Sequence, residues 1–354
     1  MVILTDAAPI VRFAFWLGVA VVAMTLVMLT VILVMRRLAL RRERNHARAI
    51  ARWRPLIVAT SEGAPAAMPD LHDRDISGFI QVWNEVHQPL RARTTENLAR
   101  LAREIGLEER LYRILHSITF HDRLVAVIAL GHVMSEASFS HIAQHLDDKS
   151  PIMSLCTARA LMQVDPVRAI PELVLRIVQR GDWSQGSIAT ILQESDEAIV
   201  AGPLVGALLQ SNADTAPRLL RFLAGVSPAS AAPFIRAYLG SSADELMVST
   251  CLQVMSVRED LDCVRPLLAH PRWHLRMQAA VTLGRFGVPG DEQPLIGMLT
   301  DRQWWVRYRA SQALLGLSFI SSERVQQIRA AQTDTYAQGI IDHVLAERVI
   351  GEAT

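Results

Sequence analysis

The fold is decided by residues 267–284, L-L-A-H-P-R-W-H-L-R-M-Q-A-A-V-T-L-G, and their echo at residues 298–315, M-L-T-D-R-Q-W-W-V-R-Y-R-A-S-Q-A-L-L. The two stretches stand 31 positions apart, and Leu267, Leu268, Trp273, Arg276, Ala279 and Leu283 correspond to Met298, Leu299, Trp304, Arg307, Ala310 and Leu314. Within the echo, Val306, Ala310, Ala313, Leu314 and Leu317 follow the i, i+4, i+7, i+8, i+11 pattern of one buried helix stripe. A helix at a fixed period is the signature of a stacked repeat, because each copy leaves an apolar face that only its neighbour covers.

Stepping back from Leu283, the same register holds Val254, Leu223, Leu192, Leu161 and Leu130, so with Leu314 seven units carry an aliphatic residue here. A second column reads Val133, Val164, Ser195, Val226, Val257, Phe286 and Leu317. Between these columns a second helix recurs as I-P-E-L-V-L-R-I-V, G-P-L-V-G-A-L-L, A-P-F-I-R-A-Y-L and Q-P-L-I-G-M-L. Pro171, Pro203, Pro233 and Pro294 are expected to open it, with Cys263 in the intervening slot. Two antiparallel helices per unit predict an all-α solenoid of about seven helix pairs over residues 120–318.

The segment D-R-Q-W-W-V-R-Y-R-A-S-Q-A-L from Asp301 resembles the HEAT-like repeat of the phycocyanobilin-lyase type, closely in the last two units and as a pattern upstream. By that resemblance Asp301 caps the first helix, and Arg276 and Arg307 join an Asp–Arg ladder between neighbouring units. His270 stands where the preceding unit would have its Asp.

Ahead of the array, Phe13–Met35 holds no charged residue, and its length at ~1.5 Å per residue reaches ~34 Å, enough to cross a ~30 Å hydrocarbon core. Only Arg12 precedes it and no small-residue cleavage site follows, so a retained transmembrane helix is expected rather than a signal peptide. Arg36, Arg37, Arg41, Arg42, Arg44, Arg48, Arg52 and Arg54 come next, opposed only by Glu43. This bias predicts residues 1–12 outside and the remainder in the cytoplasm of a bacterial inner membrane, with Arg36, Arg37, Arg41, Arg42 and Arg44 setting topology or meeting lipid headgroups. An arginine-rich juxtamembrane helix is expected over 36–58 and a flexible linker over 59–75, letting the soluble part swing.

Two further groups of helices should close the ends of the array. Over 76–119, Ile76, Phe79, Ile80, Trp83, Val86, His87 and Leu90 share one face, followed by Leu98, Leu101, Ala102 and Ile105 with Gly106 as a cap. Over 319–354, Tyr336, Ile340, Ile341, Val344 and Leu345 share another.

The 354 residues are 51% hydrophobic and 20% charged, which excludes a largely disordered chain. Residues 55–354 carry 27 basic against 33 acidic residues, a poor footing for phosphate binding, so no nucleic-acid partner is expected. Cys156, Cys251 and Cys263 are widely spaced and read as apolar filler. His116, His121, His132, His141 and His145 crowd together, and His141 with His145 has a metal-pair spacing. The intervening I-A-Q supplies no general base and no third ligand is evident, so neither metal nor cofactor is expected. No glycine-rich phosphate loop and no nucleophile elbow occurs, and the acid pairs Asp147–Asp148 and Glu108–Glu109 fall at helix boundaries.

Trp273, Trp304 and Trp305, with Arg272, Arg302 and Arg309 beside them, are the candidate partner contacts, since Trp and Arg dominate interface hot spots. Their recurrence at the repeat period suggests that Trp273 and Trp304 fill grooves between repeats, leaving Trp305 for a partner. The reading is therefore a non-enzymatic, membrane-tethered scaffold for a protein partner, another membrane protein included. Its layout resembles accessory subunits found with bacterial envelope glycosyltransferases, which implies a polysaccharide-synthase or signalling complex. The alternative is a HEAT-like-repeat enzyme or a tetrapyrrole- or nucleic-acid-handling protein, and a third reading is a purely structural spacer.

Overall fold

The computed structural model describes residues 9–63, 68–87, 92–241, 244–256 and 258–352. Most of the expected outer segment 1–12, the centre of the expected linker, Leu90 and Val257 therefore lie outside the described residues. The described chain contains α-helices and short 3₁₀ turns and no strand. It divides into two compact units, Met1–Asp147 and Asp148–Thr354.

In the first unit, α1 (Pro9–Ser61) is a single helix through the apolar stretch and the arginine segment, with Pro55 inside it. Interior proline costs about 3 kcal/mol by deleting a hydrogen bond and crowding the preceding turn. Burial offsets it, because Ala49, Trp53 and Ile57 are fully enclosed where α1 packs on α2 (Ile76–His87). Trp53 meets Phe79 edge-on at 5.1 Å, and Phe79 stacks on Trp83 at 5.9 Å. A Cβ added at Gly78 would stand 2.6 Å from the Ala49 Cβ and 2.9 Å from the His46 carbonyl, so only glycine lets the two helices come this close. Two expectations are corrected here. The segment 36–58 is no separate helix, and the described ends of the expected linker are not free, because residues 59–61 are helical and Leu71 and Asp75 are buried.

The rest of this unit is α3 (Ala92–Glu104), α4 (Leu107–Leu115), α5 (Phe120–Val133) and α6 (Phe139–Ala143). Gly106, at φ 57°, makes the left-handed turn between α3 and α4. The aromatic row continues from Trp83 to His87 and on to His132 of α5, at ring separations of 4.3 and 4.8 Å.

The second unit repeats one design. The first helices of its pairs are α7 (Pro151–Val164), α9 (Gln185–Gln193), α11 (Ala216–Val226), α13 (Glu245–Val254), α15 (Trp273–Phe286) and α17 (Trp304–Gly316). The second helices are α8 (Pro166–Gln179), α10 (Glu197–Gln210), α12 (Pro228–Ser241), α14 (Leu261–Val264), α16 (Glu292–Gly297) and α18 (Ser322–Ala331). The final helix is α19 (Thr335–Glu352). With the α5–α6 pair of the first unit, that gives seven pairs among the described residues. The column Leu161, Leu192, Leu223, Leu283 and Leu314 is fully buried, each first helix packing on the next.

The second helices begin earlier than their prolines suggest. Asp165 caps α8 through the Arg168 N–H and Asp196 caps α10 through the Ala198 N–H, so Pro171, Pro203 and Pro233 lie in the second turn. α15 and α17 pack closely at Gly284, where an added Cβ would meet the Ala313 Cα and Cβ at 2.6 Å.

Candidate partner-binding surfaces

Successive first helices run parallel and in register. Glu245 accepts from Arg272 at 2.6 Å, Ser249 donates to Gln278 at 2.8 Å, and Arg285 donates to the Gln253 carbonyl at 3.3 Å, from one end of α13 and α15 to the other. The first turns of α13, α15 and α17 therefore share one edge of the unit. That edge carries Leu246, Trp273, Trp304 and Trp305, which are 54, 39, 42 and 51% exposed. The expectation that Trp273 and Trp304 fill grooves between repeats is thus corrected. The buried groove positions of this turn belong to Leu275 and Val306, two residues further into each helix, and the indoles project beyond them.

The indoles are held by neighbours rather than loose. Trp304 stacks on Tyr308 at 5.0 Å with 9° between the planes, and Trp305 meets Trp304 edge-on at 4.8 Å. The Tyr308 hydroxyl donates to Glu347 of α19 at 2.8 Å and accepts from Gln312 at 2.7 Å. The bond to Glu347 pushes the Tyr308 hydroxyl above its ordinary pKa. Arg309 lies 5.7 Å over the Tyr308 ring and donates to Gln312, while Arg272 and His274 both reach Glu245. The structure thus brings Trp304, Trp305 and Arg309 together around Tyr308, and sets Trp273 and Arg272 one repeat away. Tyr308, Glu347 and Leu246 were missing from the sequence reading. Tyr308 lies one helical turn after Trp304, a spacing that held the signal.

Behind this edge, Arg276 grips Asp301 of the next unit through two bonds, 2.7 and 2.9 Å. Burial opposes ionisation of Asp301, but the bonds from Arg276 and from the Gln303 N–H outweigh it and hold the carboxyl below its ordinary pKa. Asp301 is not the helix cap, since Gln303 occupies that position. Arg307 reaches the Asp301 main-chain carbonyl at 2.8 Å rather than its carboxylate, just as Arg276 reaches the His270 carbonyl at 2.8 Å. That shared bond needs no particular side chain at the loop position, so His270 and Asp301 both serve. A second set of cross-links was not foreseen. Arg265 bonds the fully buried Asp291 at 2.6 Å, and Arg236 bonds the buried Asp260.

The first unit holds a groove of about 880 Å³, floored by Ile76, Ile80, Ile114 and Val125. Its rim is polar, with His46 bonded to Ser77 at 3.1 Å and Gln81 at 2.7 Å, and Arg110 paired with Asp73 at 3.0 Å. These groups satisfy one another, so the groove offers an apolar floor rather than an activated nucleophile. Among the crowded histidines, His141 stacks on Tyr112 at 4.2 Å. Outside that group, burial lowers the pKa of His87 on α2. Among the described residues, no three His, Cys, Asp or Glu side chains are grouped to hold a metal ion.

Parallel first helices, antiparallel partners and cross-linked loops define an α-solenoid of helix pairs. Residues 247–315, from α13 to α17, match the family model for HEAT repeats. No curated protein matches the sequence. Similar solved structures include a Kap121p triple mutant (13% identity, TM-score 0.46, covering 82% of this chain and 40% of that one). Kap121p bound to RanGTP is similar at 13% identity and TM-score 0.35, covering 82% and 42%. Kap121p itself is similar at 12% identity and TM-score 0.36, covering 77% and 41%. This chain spans about two fifths of the length of these proteins.

Proposed function

We propose that this protein is a non-catalytic scaffold, held at a membrane by the apolar part of α1, whose solenoid edge grips a protein partner. The observation that carries the reading is the row Leu246, Trp273, Trp304 and Trp305, large apolar side chains exposed on one edge of three consecutive repeats. Aromatic anchors braced by neighbours lose little freedom on binding and supply most of the energy of an interface. Arg272 and Arg309, each with one bond already made, form the polar rim beside them.

The tether is supported by one helix long and apolar enough to cross a membrane, with every residue of its apolar stretch exposed. Arg36, Arg37, Arg41 and Arg42 sit within the first two turns after Met35, where positive charge fixes orientation and meets anionic headgroups, and Arg44 follows half a turn later. In this reading both units lie on the cytoplasmic side of a bacterial inner membrane. The partner in this reading is a membrane enzyme, such as an envelope glycosyltransferase, or a signalling protein, the class that the resemblance of layout to glycosyltransferase accessory subunits implies.

A photo-crosslinking residue placed at Trp305 in native membranes should give one discrete adduct, whereas the same residue at the exposed Leu175 of α8 should give none. Trp273→Ala with Trp305→Ala should lose the adducted partner on co-purification without changing the melting profile, the hot-spot loss being about 2 kcal/mol or more per indole. Equal labelling at both positions, or full retention by the double variant, would reject the assigned edge.

A further inference from the structure

α1 carries a second surface, of which the scaffold reading uses only the end nearest the apolar stretch. At ~100° per residue, Arg37, Arg41, Arg44, Arg48 and Arg52 fall within one ~80° sector, on the side of the helix away from Ala49, Trp53 and Ile57, which dock on α2. Arg37, Arg41, Arg44 and Arg48 are exposed and none has a carboxylate within ion-pair distance among the described residues. Arg52 only approaches Asp75, at 3.8 Å. Arg54, ~80° beyond the edge of the sector, is by contrast paired with Glu85 at 2.5 Å. Along one flank of the arginine row runs an exposed aliphatic line, Leu40, Ala47, Ala51 and Val58, at steps that repeat with the heptad.

Lipid does not account for the far half of this row. Between Met35 and Arg54 there is neither proline nor glycine to bend the helix. Measured along it from Met35, Arg48 and Arg52 lie ~20 and ~26 Å away at ~1.5 Å per residue, while headgroups occupy only the first ~6 Å. The remaining gap exceeds the ~8 Å Debye length at physiological salt. A second copy of the same face would set arginine against arginine. A nucleic acid would have no use for the aliphatic line.

We propose that this face of α1 docks an acidic amphipathic helix of a protein partner, its apolar seam against Leu40, Ala47, Ala51 and Val58 and its carboxylates against Arg44, Arg48 and Arg52. The placement of the row relative to lipid rests on α1 crossing the membrane, as in the function proposed above. The helix that fits is about five turns long, with Asp or Glu at heptad positions flanking the seam.

The test uses the full chain in phosphatidylcholine nanodiscs and, in parallel, in detergent micelles. It is titrated with a labelled synthetic peptide of ~20 residues, Leu and Ala at the seam positions and Glu at the flanks, and with a scrambled isomer. Saturable binding is expected, weaker by about tenfold for the isomer, for Arg44→Glu/Arg48→Glu, and on raising NaCl from ~50 to ~500 mM. Unchanged circular dichroism shows that the double variant is folded. Equal binding of the isomer, or by the double variant, overturns the proposal. So does an Arg44/Arg48-dependent affinity for phosphatidylglycerol vesicles or a single-stranded oligonucleotide when the peptide does not bind. Alkaline carbonate extraction reads the membrane anchor separately: release of the chain defeats the anchor alone, because the micelle titration still reports on the arginine face.

Discussion

At the scale of single residues, the stability of the second unit concentrates in paired charges whose partners come from neighbouring repeats. Arg276 and Asp301 are largely enclosed, so removing either leaves a poorly solvated charge behind. Asp301→Asn or Arg276→Ala should destabilise the second unit by about 2–3 kcal/mol in denaturant melts. Because the Asp301 carboxyl is depressed below its unfolded value, its contribution is present above that value, near pH 4, and is lost as the pH falls through the folded pKa. Asp301→Asn should therefore flatten the acid limb of the stability profile. The first unit has a residue that titrates in a higher window. Burial lowers the pKa of His87, whose Nδ1 bonds the Trp83 carbonyl at 2.7 Å. A histidine kept neutral by burial contributes full stability above its unfolded pKa of about 6.5 and loses it as the pH drops below, since the unfolded chain takes up the proton first. Stability of the first unit should fall as the pH drops below about 6.5, and His87→Leu, which cannot take up that proton, should remove the slope.

At the scale of elements, the contacts that matter most are those that only glycine permits. α15 and α17 approach so closely at Gly284 that a methyl group there would overlap the Ala313 backbone. Gly284→Ala should destabilise the second unit by about 1–3 kcal/mol, as overpacking does in a filled core, and Gly316→Ala serves as the comparison, because its Cβ would meet nothing closer than 3.9 Å. A thermal melt that leaves Gly284→Ala unchanged would mean the helices can separate freely. Much of this element-level picture was legible in the sequence. The column from Leu161 to Leu314 is a pattern of burial, and burial is what periodicity reports. Helix starts were less legible, because Pro171, Pro203 and Pro233 are tolerated in a second turn when Asp165, Asp196 or Ser227 has already fixed the entry. The indoles were misread for a related reason. Recurrence of Trp273 and Trp304 at the repeat period says that they occupy equivalent places, and does not say whether those places face the next helix or the solvent. Tyr308 was legible as the residue one turn after Trp304, but Glu347 lay beyond the sequence, because it reaches Tyr308 from α19, with α18 between the two helices.

At the scale of the molecule, α1 belongs to two environments at once, and this governs what truncation should do. Its apolar stretch, residues 13–35, touches no other part of the chain closely enough to be covered, whereas its last four turns supply Ala49, Trp53 and Ile57 to the core beneath α2. A flexible tether would make the two parts separable anywhere between them. A continuous helix docked at one end makes the position of the cut decisive. Removing residues 1–35 takes away exposed aliphatic surface and leaves the docked turns, so the shortened chain should be recovered without detergent and melt at the temperature of the full-length protein. Removing residues 1–61 deletes Trp53 along with Ile57 and uncovers Phe79 and Trp83, each completely buried in the intact unit. Losing a buried Trp side chain alone costs about 3–5 kcal/mol, a large part of the stability of a domain this size. The longer deletion should therefore lose the cooperative melt of the first unit. The second unit, whose core is drawn from residues 153–344, should melt as before, and it provides the internal control. If the two truncations melt alike, the docking of α1 on α2 contributes nothing to stability, and the helix is an anchor that merely lies beside the unit it holds.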